Sequence, residues 1–218
     1  MRDFTTISID GGAGTGKSTL SNLLSERNNY LYVETGSHYR ALTCILLREG
    51  VTPENATSFV NENSVAIDSE IIKKRSYIVI NGSNFISENL RSHSVNENVS
   101  YFAAIPALRN SLFNYQRSQV EVARRENFKG VILEGRDIGT KILPDADLKV
   151  FLHADLKTRI KRRSTDGESD TIIKRDQIDS SRKNAPLACA EEAITIDTAK
   201  FSEQEVYQIV MESINSIL

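Results

Sequence analysis

The segment Gly11-Gly12-Ala13-Gly14-Thr15-Gly16-Lys17-Ser18 fits the pattern G-x-x-x-x-G-K-[ST], and its position limits the fold more than any other feature. Before it runs Thr5-Thr6-Ile7-Ser8-Ile9, a strand pattern. After it, Ser18 to Arg27 carries Leu20, Leu23 and Leu24 at helical spacing. A glycine-rich turn with a surface lysine would not need that strand and helix on either side; a phosphate-binding loop does. Glycines let the backbone turn so that successive N–H groups face an anion, and the helix amino terminus adds positive potential. The loop residues Gly11 to Ser18, with Thr19 behind them, are therefore expected to hold a nucleoside triphosphate. Lys17 is expected on the β/γ oxygens and the Ser18 hydroxyl on Mg²⁺.

Further strand-like runs at Tyr30 to Val33, Val131 to Leu133, Leu148 to Leu152 and Ala193 to Ile196 alternate with helix patterns. This predicts an α/β fold, a parallel sheet of the P-loop type flanked by helices. A second helix is expected from Ser37 to Gly50, and a long one from Pro106 to about Asn127 with Leu108, Leu112, Tyr115 and Gln119 on one face. From Val51 the rhythm changes: Tyr77-Ile78-Val79-Ile80, Asn81-Gly82-Ser83-Asn84 and Phe85-Ile86 read as a hairpin around an Asn-Gly turn. The chain is thus read as a single domain over 1–218: a core of about 1–50 and 104–218, and an insert of about 51–103. The basic stretch between Asp155 and Ala185, interrupted by Ser164 to Asp170, reads as a mobile arm. Ser202 and Glu205 form a capping-box pattern before a terminal helix with Val206, Ile209, Val210 and Ile214 on one stripe.

Lys plus Arg total 27 and Asp plus Glu 29, so the net charge is -2 and no overall field favours nucleic acid or anionic lipid. An anionic ligand must be held by local groups. There is no long apolar run and no signal-like or transit-like start, which places the chain in the cytoplasm by expectation, with no membrane or nucleic-acid partner. Cys44 and Cys189 belong to no C-x-x-C pattern and are read as reduced structural thiols.

A phosphate loop names the donor, not the acceptor. Thr35-Gly36-Ser37-His38-Tyr39-Arg40 follows the second strand, and Glu134-Gly135-Arg136-Asp137-Ile138-Gly139-Thr140 follows the strand Val131 to Leu133. Both place an arginine at the carboxyl edge where open α/β sheets bind ligands. Each could also be a helix cap or a surface ion pair. Arg175, Asp179 and Arg182 fall at i, i+4 and i+7, a spacing that suits either a binding face or a solvated salt-bridged one.

These segments, together with Ile9-Asp10-Gly11, Ile105-Pro106-Ala107-Leu108-Arg109, Pro144-Asp145-Ala146, Phe151-Leu152, Ala185-Pro186-Leu187 and Ile196-Asp197-Thr198, resemble the bacterial cytidylate kinase family over nearly the whole chain. The resemblance implies transfer of the γ-phosphoryl group of ATP to CMP or dCMP, with Mg²⁺, by an enzyme expected to act as a monomer. It implies that the insert enlarges the monophosphate side and that about 159–175 is a lid, with Arg159, Arg162 and Arg163 as the candidates to meet ATP. It further implies that Ser100, Arg109 and Asp137 read cytosine and that Arg175 and Asp179 meet the pentose. Arg40, Arg136 and Arg182 are the expected clamps on the acceptor phosphate and the transferring group, and with Lys17 they form the expected catalytic set; Thr35 and Tyr39 complete the acceptor side. Two features differ from the family pattern: Gly12 stands where proline is common and Glu34 where aspartate often precedes Thr-Gly. The arm between Arg163 and Arg175 is also short.

Overall fold

A computed structural model of the chain describes residues 4–63, 65–85, 90–165 and 172–217. The strand before the loop is β1 (Thr5–Gly11), and it leads into α1 (Lys17–Asn28), β2 (Tyr30–Glu34) and α2 (Thr35–Arg48). The insert supplies α3 (Ala56–Glu62), β3 (Ile67–Ile72), β4 (Arg75–Ile80), β5 (Ser83–Asn84) and α4 (His93–Phe102). Then come α5 (Pro106–Arg125), β6 (Gly130–Gly135), a π-helical turn (Ile138–Ile142) and β7 (Leu148–His153). The chain closes with α6 (Leu156–Thr165), α7 (Ile172–Ser181), β8 (Ile194–Asp197) and α8 (Glu203–Ile217).

The sheet runs in the order β3-β4-β2-β6-β1-β7-β8, with β5 paired to β4. From β2 to β8 every neighbouring pair is parallel, so the strands end together at one carboxyl edge. Alternation along the strands sorts the two faces. Ile7, Ile9, Ile132, Val150 and Leu152 meet Leu20 and Leu24 of α1 and Val206, Val210 and Ile214 of α8. Val131, Leu133, Leu31 and Val33 face the other way, against Ala123, Ile138 and Ile142. A third cluster joins Ala41 and Leu46 of α2 to Ile78, Ile80, Phe102, Leu108 and Leu112.

The Asn-Gly turn forms as expected, with Asn81 at φ 50° and Gly82 at φ 77°, the left-handed pair that a tight hairpin needs. Ile86, the end of that expected run, lies outside the described residues. The insert does not stand apart from the core: β4 pairs with β2 in parallel through Tyr32–Arg75 and Val33–Ser76, and so extends the central sheet. A second hairpin, β3–β4, turns at Lys73 and Lys74, both left-handed (φ 47° and 67°), where no glycine or asparagine marks the turn in sequence. The middle of the expected arm, 166–171, lies outside the described residues; its basic flanks are helical, α6 and α7. The capping box is present: the Ser202 N–H and hydroxyl donate to Glu205 Oε2 at 2.8 and 2.7 Å.

Candidate active site

The loop between β1 and α1 is shaped by glycines that adopt what other residues avoid. Gly14 (φ 74°) and Gly16 (φ 88°) are left-handed, Gly16 immediately before the helix, so the loop coils back on itself. Thr15 Oγ1 locks that coil by donating to the Gly12 carbonyl at 2.9 Å. Lys17 is buried and folds into the same loop, its Nζ donating to Gly12 O at 2.8 Å. Burial and the nearby Arg136 lower its pKa, against the opposing pull of Glu134 and Asp10. An ammonium under that pressure gains when an anion arrives.

A cavity of about 690 Å³ opens over the loop at the carboxyl edge of the sheet. It is lined by Lys17, Ser18 and Thr19, by Arg40 and Arg136, and by Arg162, Arg163 and Arg175 from the basic flanks. Ser18 Oγ donates to Glu134 Oε1 at 3.0 Å, and the other Glu134 oxygen takes the hydroxyl of Tyr32. Burial holds the Glu134 carboxyl above its usual range. A hydroxyl and a carboxylate oxygen side by side at the phosphate loop are the hard donors that Mg²⁺ prefers, so Ser18 and Glu134 fit such an ion and its bound water.

The acceptor-side residues gather around Asp179 of α7. Ser100 Oγ donates to Asp179 Oδ1 at 3.2 Å, Arg136 Nε donates to Oδ2 at 3.1 Å, and Arg182 pairs with Oδ1. Burial would raise the Asp179 pKa, but Arg136, Arg182 and Arg175 outweigh it and hold the group below the ordinary carboxylate value. Arg175 is buried with Nε and Nη1 lacking a hydrogen-bond partner among the described residues, as does Nε of Arg182. Burial and Arg136 push Arg175 down to about 10. Buried guanidinium donors with nothing to donate to are costly unless a ligand completes them. Arg182 follows the last residue of α7 rather than sitting on the helix, a correction to the expected shared face, yet it still reaches Asp179.

Arg40 lines the cavity while donating to Leu90 O and Asn96 Oδ1, each at 2.8 Å, and burial depresses its pKa. Arg109 pairs with Asp137, donates to Ala103 O at 3.1 Å and lies 5.1 Å over the Tyr39 ring. These three line a smaller cavity of about 280 Å³ beside the first. Thr35 Oγ1 donates to Glu134 O at 2.7 Å. On the loop side, Arg159 donates to Ala13 O at 3.2 Å and pairs with Asp176, while Arg162 donates to Thr198 Oγ1 and O at 2.9 and 2.7 Å. Arg163 is buried at the cavity wall.

Four side chains at the site had no role from the sequence: Glu134, Asp10, Asp176 and Thr198. Glu134, Asp10 and Thr198 sit inside the quoted motifs, and their place at or just after a strand's carboxyl end was the available signal. Glu34, the departure noted above, pairs with Arg75 of β4 and with Arg91 at 3.1 Å, which ties the insert to the edge of the site.

A model of the cytidylate kinase family matches residues 7–216. A cytidylate kinase of Anoxybacillus flavithermus is 40% identical over 220 residues, 94% of this chain and 93% of its own. One of Geobacillus sp. (strain WCH70) is 36% identical over 227 residues, 99% and 98% of the two chains. Among solved structures, an unliganded sugar kinase from Janibacter sp. HTCC2649 superposes with a TM-score of 0.51 at 9% identity, covering 97% of this chain and 95% of that one, a likeness of fold alone. The family match spans the phosphate loop, the two arginine-bearing turns and α7, and the chain belongs to the cytidylate kinase family.

Proposed function

We propose that the protein transfers the γ-phosphoryl group of ATP to CMP or dCMP, giving ADP and CDP or dCDP. Family membership supports the reaction. The observation that carries the assignment of its site is the buried Arg175 beside Asp179, two of its donors left open, in one cavity with Arg136, Lys17 and Ser18. Phosphoryl transfer asks the protein for alignment and charge neutralisation more than for covalent chemistry. Lys17 and the amides of Gly11 to Ser18, with Thr19, hold the triphosphate; Arg159, Arg162 and Arg163 close on it. Arg40, Arg136 and Arg182 clamp the acceptor phosphate and the moving group. The attacking monophosphate oxygen is already anionic, so no side chain has to remove a proton.

Ser18 and Glu134 are the residues that would hold Mg²⁺, which when bound neutralises charge on the β and γ oxygens. On the acceptor side the site contains a donor facing an acceptor, Arg109 against Asp137. A cytosine edge offers the complementary pair: its N4 amino group donates to Asp137 and its ring acceptors receive from Arg109. Ser100 completes the reading of the base, Arg175 and Asp179 meet the pentose, and Thr35 and Tyr39 shape the pocket wall. In this reading 51–103 forms the monophosphate side and 159–175 the lid of one domain. The enzyme works as a cytoplasmic monomer on free nucleotides; no helix among the described residues is long and apolar enough to cross a membrane.

ADP release from ATP and Mg²⁺ measured with CMP, dCMP, UMP and AMP tests this directly. CMP and dCMP should be preferred in kcat/KM; a preference for AMP would overturn the base assignment.

A further inference from the structure

Asp10 belongs to no step above, yet it is buried at the carboxyl end of β1 between the two halves of the site. Its Oδ1 accepts the N–H of Ile138 at 2.9 Å and its Oδ2 the N–H of Gly139 at 2.7 Å. These are the first two amides of the π-helical turn that begins right after Asp137. Asp137 itself provides no side-chain cap to that turn. A helical turn needs partners for its leading N–H groups, and here a carboxylate from a different strand supplies both. Gly139 allows this close approach: a Cβ there would lie 2.9 Å from Ser8 Oγ and 3.4 Å from Asp10 Oδ2.

The arrangement comes at a cost. Burial pushes the Asp10 carboxyl up to about 6 in spite of the two amides, and the charge of Asp137 adds to the rise. A second carboxylate kept buried near Asp137 has to perform something that an apolar residue could not.

We propose that Asp10 is a positioning residue for base selection: by holding the amides of Ile138 and Gly139 it fixes the backbone that aims Asp137 at Arg109 and the cytosine amino group. The proposal rests on the reading of Asp137 as the cytosine reader. Asp10 does not touch the nucleotide in this scheme. Its effect passes through the turn, and small misplacements of an orienting group are enough to lose selectivity.

Asp10→Asn keeps the shape and one acceptor but cannot receive both amides; Asp10→Ala receives neither. The measurements are kcat/KM for CMP and for UMP, KM for ATP, and amide exchange at Gly139. The CMP-to-UMP ratio should narrow by about ten-fold in Asp10→Asn, further in Asp10→Ala, with faster exchange at Gly139 and a smaller change in KM for ATP. Because Asn is close in shape, it carries the test if the alanine variant does not fold. The Asp137→Ala enzyme separates the two ideas: it should narrow the ratio by itself, and adding Asp10→Asn to it should narrow it no further. Equal losses on CMP and UMP in Asp10→Asn, while Asp137→Ala does narrow the ratio, overturn the positioning role and leave the base reading intact. An unchanged ratio in Asp137→Ala overturns the base reading and the proposal with it.

Discussion

Ser18 of the phosphate loop donates its hydroxyl to Glu134 Oε1 at 3.0 Å, joining the first turn of α1 to the end of β6, the strand that pairs with β1 in space and lies far from it in sequence. Glu134 is held on its other oxygen by Tyr32, so the carboxylate has little freedom to turn away from the loop. If it receives a metal-bound water there, Glu134→Gln should raise the Mg²⁺ concentration for half-maximal activity and lower kcat, by about 10- to 100-fold together. Titrating Mg²⁺ at saturating ATP and CMP checks this, and direct calorimetry of Mg²⁺-ATP against ATP alone gives a reading independent of turnover. An unchanged Mg²⁺ dependence would reduce Glu134 to a partner of Ser18.

Lys17→Ala should fold and yet lose turnover by about 10²- to 10³-fold, the usual scale for removing one preorganised charge from the transferring group. The unliganded protein should not lose stability, because burial already works against that ammonium. Thermal unfolding without ligand and initial rates with CMP address the two halves. A variant with near-normal kcat would remove the phosphate loop from the mechanism.

Asp176 stands against the loop proposed to hold the triphosphate. Its Oδ1 is 3.4 Å from the Ala13 N–H, and it pairs with Arg159, whose Nη1 also donates to Ala13 O. A carboxylate against the loop amides competes with phosphate, and ligand affinity falls by the fraction of molecules in the competing state. Asp176→Asn should therefore tighten ATP binding by about three- to ten-fold, while leaving Arg159 free to meet the phosphates. Calorimetric binding of ATP in the absence of acceptor is the measurement. Weaker binding in the variant would mean that Asp176 holds Arg159 in its working position.

The parts of this site that could be read from the sequence are those set by local spacing. The order β1, glycine loop, α1 is contiguous, and Arg175 and Asp179 are one helical turn apart, so neither needs the tertiary fold to be seen. Glu134 and Asp10 are different. Strand pairing makes them functional: Ile9 is in register with Glu134 and Asp10 with Gly135, which brings both carboxylates to one edge. No spacing along the chain encodes that register. The β3–β4 hairpin was hidden for another reason, since Lys73 and Lys74 take left-handed conformations that residue preference argues against, and β3 alternates half-buried with exposed positions rather than apolar with polar ones. Its consequence for the site is the ion pair of Arg75 with Glu34, a link that only the docking of β4 on β2 makes possible.

His38 of α2 supplies the last prediction, one about stability. It is fully buried, neither ring nitrogen has a hydrogen-bond partner among the described residues, and its ring sits 5.0 Å from that of Tyr115. Burial pushes its pKa down from 6.5 to about 3. The folded state therefore holds it neutral, and the unfolded chain binds the proton first as pH falls below 6.5. Stability that is fully present above pH 6.5 is lost progressively toward pH 3, and by pH 5 this residue should cost about 2 kcal/mol. The total pH profile will not show this alone, because Asp10, raised to about 6, works in the opposite direction: protonating it between pH 6 and 4 favours the folded state. The difference between wild type and His38→Phe isolates the histidine. Chemical unfolding at pH 7 and pH 5 should show the variant gaining about 2 kcal/mol relative to wild type between the two. A difference that stays constant across that range would mean that His38 remains able to take up its proton in the folded protein, and that water reaches the imidazole beside Tyr115.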